Sequence, residues 1–249
     1  MTTSPSGRTL DQARWETGLL LRNGEQLLLT IAIPLGILLV LGVTDVLPVD
    51  SGGATGSDRI ASALGVVMAV TVISSGFTSL AIATAFERRS GALRFLGTTP
   101  LTRGELLGGK LLATLSVTAI SVVITTVTAL LLGWRPTAGA GWSIVALALG
   151  VAAWVPWGLA LGGSLRAEAV LAIANGVFLV ILMFGGVVIP ASSLPGPLDI
   201  LVAYLPSGAL VDGLSSALLL GQPDGVAMVI LLAWTTAGTL VATRVFRWS

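Results

Sequence analysis

The run LLGGKLLATLSVTAISVVITTVTALLL, Leu106 to Leu132, carries a single charged residue, Lys110, close to its start. About 20 consecutive apolar residues are enough to cross the hydrocarbon core of a bilayer as a helix. A run this long with no central charge is therefore read as a membrane span, and the rest of the chain repeats its composition. Of 249 residues, 54% are hydrophobic and only 10% are charged. Soluble domains carry roughly a quarter charged residues, so too few are present here to cover a water-facing surface.

Five further runs fit the same template: Leu27–Leu47, Ile60–Phe86, Trp142–Leu165, Ala169–Ile189 and Val226–Phe246. The first starts too late, runs too long and lacks the flanks of a cleaved signal peptide. Pro34 and Pro156 fall inside spans, where neighbouring helices can satisfy the freed carbonyls. The sequence thus predicts an all-α integral membrane fold with six transmembrane helices.

Orientation follows from the basic residues, which concentrate on the cytoplasmic side of membrane proteins. With the N-terminus in the cytoplasm, that side holds 11 of the 13 Lys and Arg residues, and only Arg59 and Arg135 lie outside. Both termini are expected in the cytoplasm.

Residues 1–26 form a tail and a short helix. Leu10–Asn23 has Leu10, Ala13, Trp15, Leu19 and Leu20 for apolar contact and Asp11, Arg14, Glu16 and Arg22 as its polar part. It reads as a helix lying in the interface, the alternative being a plain cytoplasmic helix. Residues 27–249 are expected to form one membrane domain, with no soluble domain among them. Two of its connections are more than simple loops. Glu87–Lys110, ERRSGALRFLGTTPLTRGELLGGK, is the longest and most charged cytoplasmic connection. A short helix is expected over Glu87–Leu96, broken at Gly97 and Pro100. Thr102 with Glu105 three residues on then forms a capping box for the third span. On the outer side, Pro190–Gly225 is too apolar to float in water, yet Leu198–Leu205 and Ala209–Leu220 are each too short to cross. A re-entrant or surface-lying helical hairpin satisfies both constraints.

The residue inventory excludes much chemistry. Cys and His are absent, which removes disulfides, thiol chemistry and the usual zinc sites. The net charge of +1 gives no footprint for nucleic acid. No catalytic and no metal site is expected. Gly104–Lys110 matches the spacing G-x-x-x-x-G-K, but Leu111 stands where the Mg²⁺-ligating Ser or Thr belongs and no strand precedes it. The expected reading is structural: glycines for close helix approach, and Lys110 reaching lipid phosphates at the interface. No Asp, Glu, His or Arg lies within the bilayer to serve a proton relay or voltage sensor. Energy for any work is therefore expected from a partner.

The spans do hold hydroxyls. Thr114, Thr118, Ser121, Thr125 and Thr128 recur at intervals of four, three, four and three, on one face of the third span, and Thr71, Ser75 and Ser79 do the same in the second. With Asn175 these are the candidate lining of a weakly polar pathway. The alternative is that they bond their own preceding carbonyls or hold helices together. Gly158-x-x-x-Gly162 is a close-packing face in the fourth span.

The run Glu87-Arg88-x-x-Gly91-x-Leu93-x-x-Leu96-x-x-x-Pro100-Leu101, then Gly109-Lys110, resembles the cytoplasmic signature of type-2 ABC exporter permeases. The outer run Gly186-Val-Val-Ile-Pro190-x-x-x-Leu194-Pro195, then Tyr204-Leu-Pro206 and Val211-Asp212-Gly213, resembles the segment before the last span in that family. The likeness covers nearly the whole chain. Ala92 stands where Thr is common, and Arg94 where an acidic residue is common. The resemblance implies an interfacial N-terminal helix and a coupling segment, residues 87–105, that engages the ATPase. Its contact residues would be Glu87, Arg88, Gly91, Leu93, Arg94, Leu96 and Pro100. It also implies an outer hairpin, residues 190–225, gated by Pro190, Pro195, Tyr204 and Pro206. The implied partners are two copies of a separate ABC ATPase, which bind ATP and Mg, and a second permease subunit, identical or different. The permease itself would hold no cofactor and would act in the cell membrane as an exporter of drug-like molecules or lipids. The competing class is a non-transport membrane scaffold or membrane enzyme.

Overall fold

A computed structural model describes residues 5–22, 24, 31–43, 56–92, 102–187 and 196–245. These residues are almost entirely helical, with no strand among them. In chain order the helices are α1 (Pro5–Arg22), α2 (Ile33–Val43), α3 (Gly56–Arg89), α4 (Arg103–Leu131), α5 (Trp142–Ser164), α6 (Ala167–Phe184), α7 (Pro197–Ala203), α8 (Pro206–Leu220) and α9 (Gly225–Val245). Helices α3, α4, α5, α6 and α9 are each long and apolar enough to cross a membrane. Helix α2 is the described part of the expected first span, and its remainder lies outside the described residues.

Helix α3 is the axis of the bundle. It packs against α2, α4, α5, α6 and α8, and its core face includes Leu64, Val67, Val72, Ile73 and Ala81. Midway, Ser74–Ser79 winds as a π-helical turn. The Cα atoms of Gly158 and Gly162 on α5 allow close approach to this stretch. A Cβ on Gly158 would lie 2.7 Å from the Gly76 carbonyl oxygen, and one on Gly162 would lie 2.4 Å from that of Ala81. The G-x-x-x-G face is thus spent inside one chain, joining the second and fourth spans.

Loop contacts set the directions of the helices. The Arg88 guanidinium donates to the Leu165 carbonyl, and Arg89 pairs with Glu168. The end of α3 therefore meets the α5–α6 turn. At the other end, the Arg135 backbone N–H donates to Ser57 Oγ at 3.0 Å. One face of the bundle, here the near face, carries α1, Arg88, Arg89, Arg166 and Arg244. The far face carries Arg59 and Arg135.

Helices α7 and α8 are bent by 78° to each other, with Pro197 and Pro206 each at a helix start. Proline is suited to that position because its missing N–H would have no helical partner there. The two short apolar stretches anticipated between Pro190 and Gly225 thus form a bent pair. Pro190 and Pro195 lie outside the described residues.

The connection from α3 to α4 differs from its expected form. Glu87, Arg88 and Arg89 are the last turn of α3, not the start of a separate helix. Gly91 ends that helix with φ of +82°, a left-handed conformation that glycine adopts at little cost. Leu93, Arg94, Leu96 and Pro100 lie outside the described residues. The capping box at the start of α4 is present. Glu105 N–H donates to Thr102 Oγ1 at 3.3 Å, and Thr102 N–H donates to Glu105 Oε2 at 2.7 Å.

Candidate functional site

The near face holds an ion cluster that joins three separate parts of the chain. Lys110, in the second turn of α4, is 1% exposed. Its Nζ donates to Glu87 Oε1 at 3.0 Å and Oε2 at 2.9 Å, and lies 2.9 Å from Glu16 Oε1 on α1. Gln12 Nε2, one turn earlier on α1, donates to the same Glu16 oxygen at 2.9 Å. Beside the cluster, Arg8 donates through Nε and Nη2 to Glu105 Oε1, at 2.9 and 2.7 Å.

Local sequence explains why these groups meet. Gly108 and Gly109 leave α4 bare where α1 crosses. A Cβ on Gly108 would meet Thr9 Cγ2 at 3.0 Å, and one on Gly109 would meet Gln12 Cγ at 2.6 Å. The α1 backbone therefore lies low enough on α4 for Glu16 to reach Lys110. The inward side of α1 is Gln12, Ala13 and Glu16, while Leu10, Trp15 and Leu19 are exposed. The large apolar side chains Leu10, Trp15 and Leu19 thus face away from the protein, as they must if the helix rests in an interface, while Ala13 is turned inward.

Lys110 accordingly does not extend to lipid phosphates. A lysine ammonium taken out of water needs charge partners close by, and two carboxylates supply them. The run Gly104–Lys110 is continuous helix within α4, and its lysine is consumed inside the protein. It forms no phosphate cradle. The signal that sequence reading passed over is that an ammonium next to an apolar run requires a counter-ion. Glu16 and Gln12, four apart on α1, were available.

The residues expected at the coupling segment divide into two groups. Glu87, Arg88 and Gly91 are described, and the first two are engaged within the chain. The other four lie outside the described residues.

The hydroxyl stripes are buried within the bundle. Thr71, Thr114 and Thr125 donate to the carbonyls of Val67, Lys110 and Ser121, at 2.8, 2.9 and 2.9 Å. Ser75 donates to Thr71 at 2.7 Å. The two stripes meet where Ser75 Oγ and Thr118 Oγ1 lie 3.0 Å apart, which ties α3 to α4. Thr114, Thr118, Ser121 and Thr125 are all nearly inaccessible, and Ser79 is half-buried. This geometry favours packing over a pathway for most of the set. Asn175 is not gathered with them. It is exposed on α6 and donates to the Leu171 carbonyl at 2.9 Å.

On the far side, the carbonyl of Tyr204, at the bend between α7 and α8, accepts from Trp234 Nε1 at 2.9 Å. Trp234 lies nine residues into α9, about 13 Å along its axis, so the bend reaches well down the bundle. The rings of Trp234 and Trp157 meet edge to face at 5.5 Å. Trp157 Nε1 donates to the Trp234 carbonyl at 3.3 Å. Pro206 is buried beside the bend and Tyr204 is exposed.

With the helical bundle and its near-face cluster established, the comparison with known families is decisive. The sequence profile of the ABC-2 family transporter proteins matches residues 43–244. The chain belongs to this family. It is a multi-pass membrane protein and the permease component of an ABC transporter, which implies an ABC ATPase as its partner. A search of curated proteins returned no match. The matched region contains Glu87 and Lys110 of the permease's ion cluster, whereas Glu16 lies before it.

Proposed function

We propose that this permease is the membrane half of an exporter that moves an apolar or amphipathic cargo, a lipid or drug-like molecule, across the cell membrane. The near face is cytoplasmic and the far face is outside. A separate ATPase, in two copies, binds ATP and Mg. The permease pairs with a second permease subunit, identical or different. The observation that carries the coupling is the ion cluster. Glu87 and Lys110 stand at the two ends of the connection between α3 and α4, and Lys110 ties Glu87 to Glu16 of α1 by pairing with both. A push on residues 90–101 by the ATPase would then move α3, α4 and α1 together. Arg88 and Arg89 are also held within the chain, so direct contact with the ATPase falls to that intervening stretch, with Leu93 and Leu96 as apolar anchors and Arg94 at their rim. Glu87 serves as an anchor for the stretch.

Cargo class follows from electrostatics. An unpaired ion costs several kcal/mol or more to bury. The far two-thirds of the spans offer hydroxyls and little else, most of them already bonded. Asn175 on the exposed face of α6 is the polar group best placed to meet cargo between two permease subunits. Tyr204, Pro206, Pro190 and Pro195 belong to the outer closure. The test is ATPase stimulation in the reconstituted complex across lipids, hydrophobic drugs, oligosaccharides and ions. Stimulation by apolar compounds, lost in Leu93→Asp with the protein still in the membrane, is expected. A response confined to ions or free oligosaccharides overturns the cargo reading. For orientation, single cysteines at Ser57 and Ser90 are expected to label from outside and from the cytoplasm respectively, and the reverse result overturns it.

A further inference from the structure

Between α4 and α5 lies a hollow of about 580 Å³ that opens sideways from the bundle. Its floor includes Met68 of α3 and Leu218 of α8, both buried. Its rims include Val123 and Val127 on one side and Ile144 on the other, all exposed. From Leu115 to Leu130 its α4 wall runs about 22 Å along the helix axis, more than the roughly 15 Å depth of one leaflet's hydrocarbon. Two of its hydroxyls are already bonded within the protein. Thr118 shares its bond with Ser75, and Ser143 donates to the Ala140 carbonyl at 2.7 Å. Water needs two to four polar partners to settle in a cavity, and this lining offers few. The hollow is therefore suited to a long, thin, apolar occupant supplied from the side.

The far end of the hollow is lined by Trp134 and Pro136. Between them in sequence stands Arg135, exposed at the far face. An exposed cation flanked in sequence by two residues that line an apolar slot matches a molecule with an anionic head and a hydrocarbon tail. We propose that this hollow binds one acyl chain of an anionic phospholipid from the far leaflet, with the lipid phosphate drawn to Arg135. The site lies inside a single permease subunit and does not depend on what the transporter carries.

The experiment compares lipid retention by the purified full-length chain, using native mass spectrometry after extraction from membranes containing phosphatidylglycerol and phosphatidylethanolamine. Ala119→Phe and Ala148→Phe fill the hollow from its two walls at positions exposed to lipid. Val229→Phe places the same bulk on the exposed face of α9. Wild type and Val229→Phe are expected to retain phosphatidylglycerol, and the two filling variants to lose it. Arg135→Glu should lower retention of phosphatidylglycerol relative to phosphatidylethanolamine about fivefold, the scale of one basic residue at an anionic surface. Brominated acyl chains provide a second readout that does not depend on the variants' yield. They should quench wild-type fluorescence more than that of Trp134→Phe. No retained lipid in wild type, equal retention in all variants, or quenching unchanged by Trp134→Phe each overturns the proposal. So does burial of Ile144 and Val127 by a second copy of the chain, detected as a cross-link between cysteines placed there.

Discussion

Lys110 and Glu16, 94 residues apart in sequence, form an ion pair of 2.9 Å in which the two side chains are only 1% and 8% exposed. Glu87 completes the cluster from a third helix and is 29% exposed. Two carboxylates around one ammonium leave a surplus negative charge, so the lysine cannot be removed without setting Glu16 against Glu87. Removal of one partner from a buried pair typically costs about 3–5 kcal/mol. Lys110→Met is expected to lower the thermal unfolding midpoint in detergent sharply. Lys110→Met combined with Glu16→Gln and Glu87→Gln should recover most of that loss. A triple variant no more stable than the single one would sink the account of the cluster as an electrostatic unit.

The helix-packing glycines give a matched pair of substitutions. A Cβ on Gly162 would strike the Ala81 carbonyl oxygen at 2.4 Å and Thr84 Cβ at 2.9 Å, while one on Gly176 meets nothing within 4 Å. Overpacking a close contact costs about 1–3 kcal/mol. Gly162→Leu should therefore reduce the folded yield and melting temperature in detergent, and Gly176→Leu should leave both close to wild type. Equal behaviour of the two would show that the α3–α5 contact is looser than described.

Much of this architecture is legible in the sequence because the bilayer allows few alternatives. Once Leu106–Leu132 reads as a span, the other apolar runs follow, and Gly158 and Gly162 announce a close crossing. Thr102 and Glu105 announce the start of α4 because a capping box needs only local residues. The Lys110 cluster was not legible in the same way. It depends on α1 crossing α4 at Gly108 and Gly109, a tertiary choice that helical periodicity does not encode. The end of α3 was misplaced for a related reason. The charges of Glu87–Arg89 end the apolar run at Phe86 and suggest the start of a separate helix, yet Lys110, Leu165 and Glu168 hold them in the last turn of α3. The hydroxyl periodicity was read correctly as one face, but only the structure shows that the face is turned inward and bonded to its own backbone.

The Trp234 bond to the Tyr204 carbonyl makes a separate prediction about the far side. Replacing the indole with Phe keeps most of the apolar contact with Trp157 and removes the N–H. A hydrogen bond of this kind contributes about 0.5–1.5 kcal/mol net, and the orphaned carbonyl sits at the bend between α7 and α8. Trp234→Phe should leave the global unfolding midpoint within a few degrees of wild type while raising hydrogen exchange selectively across residues 197–209. Unchanged exchange there would mean that the bend is held by Pro206 and the buried face of α8 without help from α9.

The last prediction concerns nucleotide. Gly104–Lys110 has the spacing of a phosphate-binding loop, and isolated ABC-2 permease could be tested for ATP hydrolysis on that ground alone. The geometry argues against turnover on three counts. Backbone N–H groups that would cradle phosphates are instead engaged along the α4 helix. The lysine that would reach the β- and γ-phosphates is sequestered between Glu16 and Glu87, whose charge repels a polyphosphate. Leu111 offers no oxygen to Mg²⁺. Purified wild type and Lys110→Met should therefore show the same background hydrolysis, and ATP with Mg²⁺ should not raise the melting temperature of either. A shift in wild type that disappears in a folded Lys110→Gln variant would assign nucleotide binding to this chain and overturn the division of labour proposed between permease and ATPase.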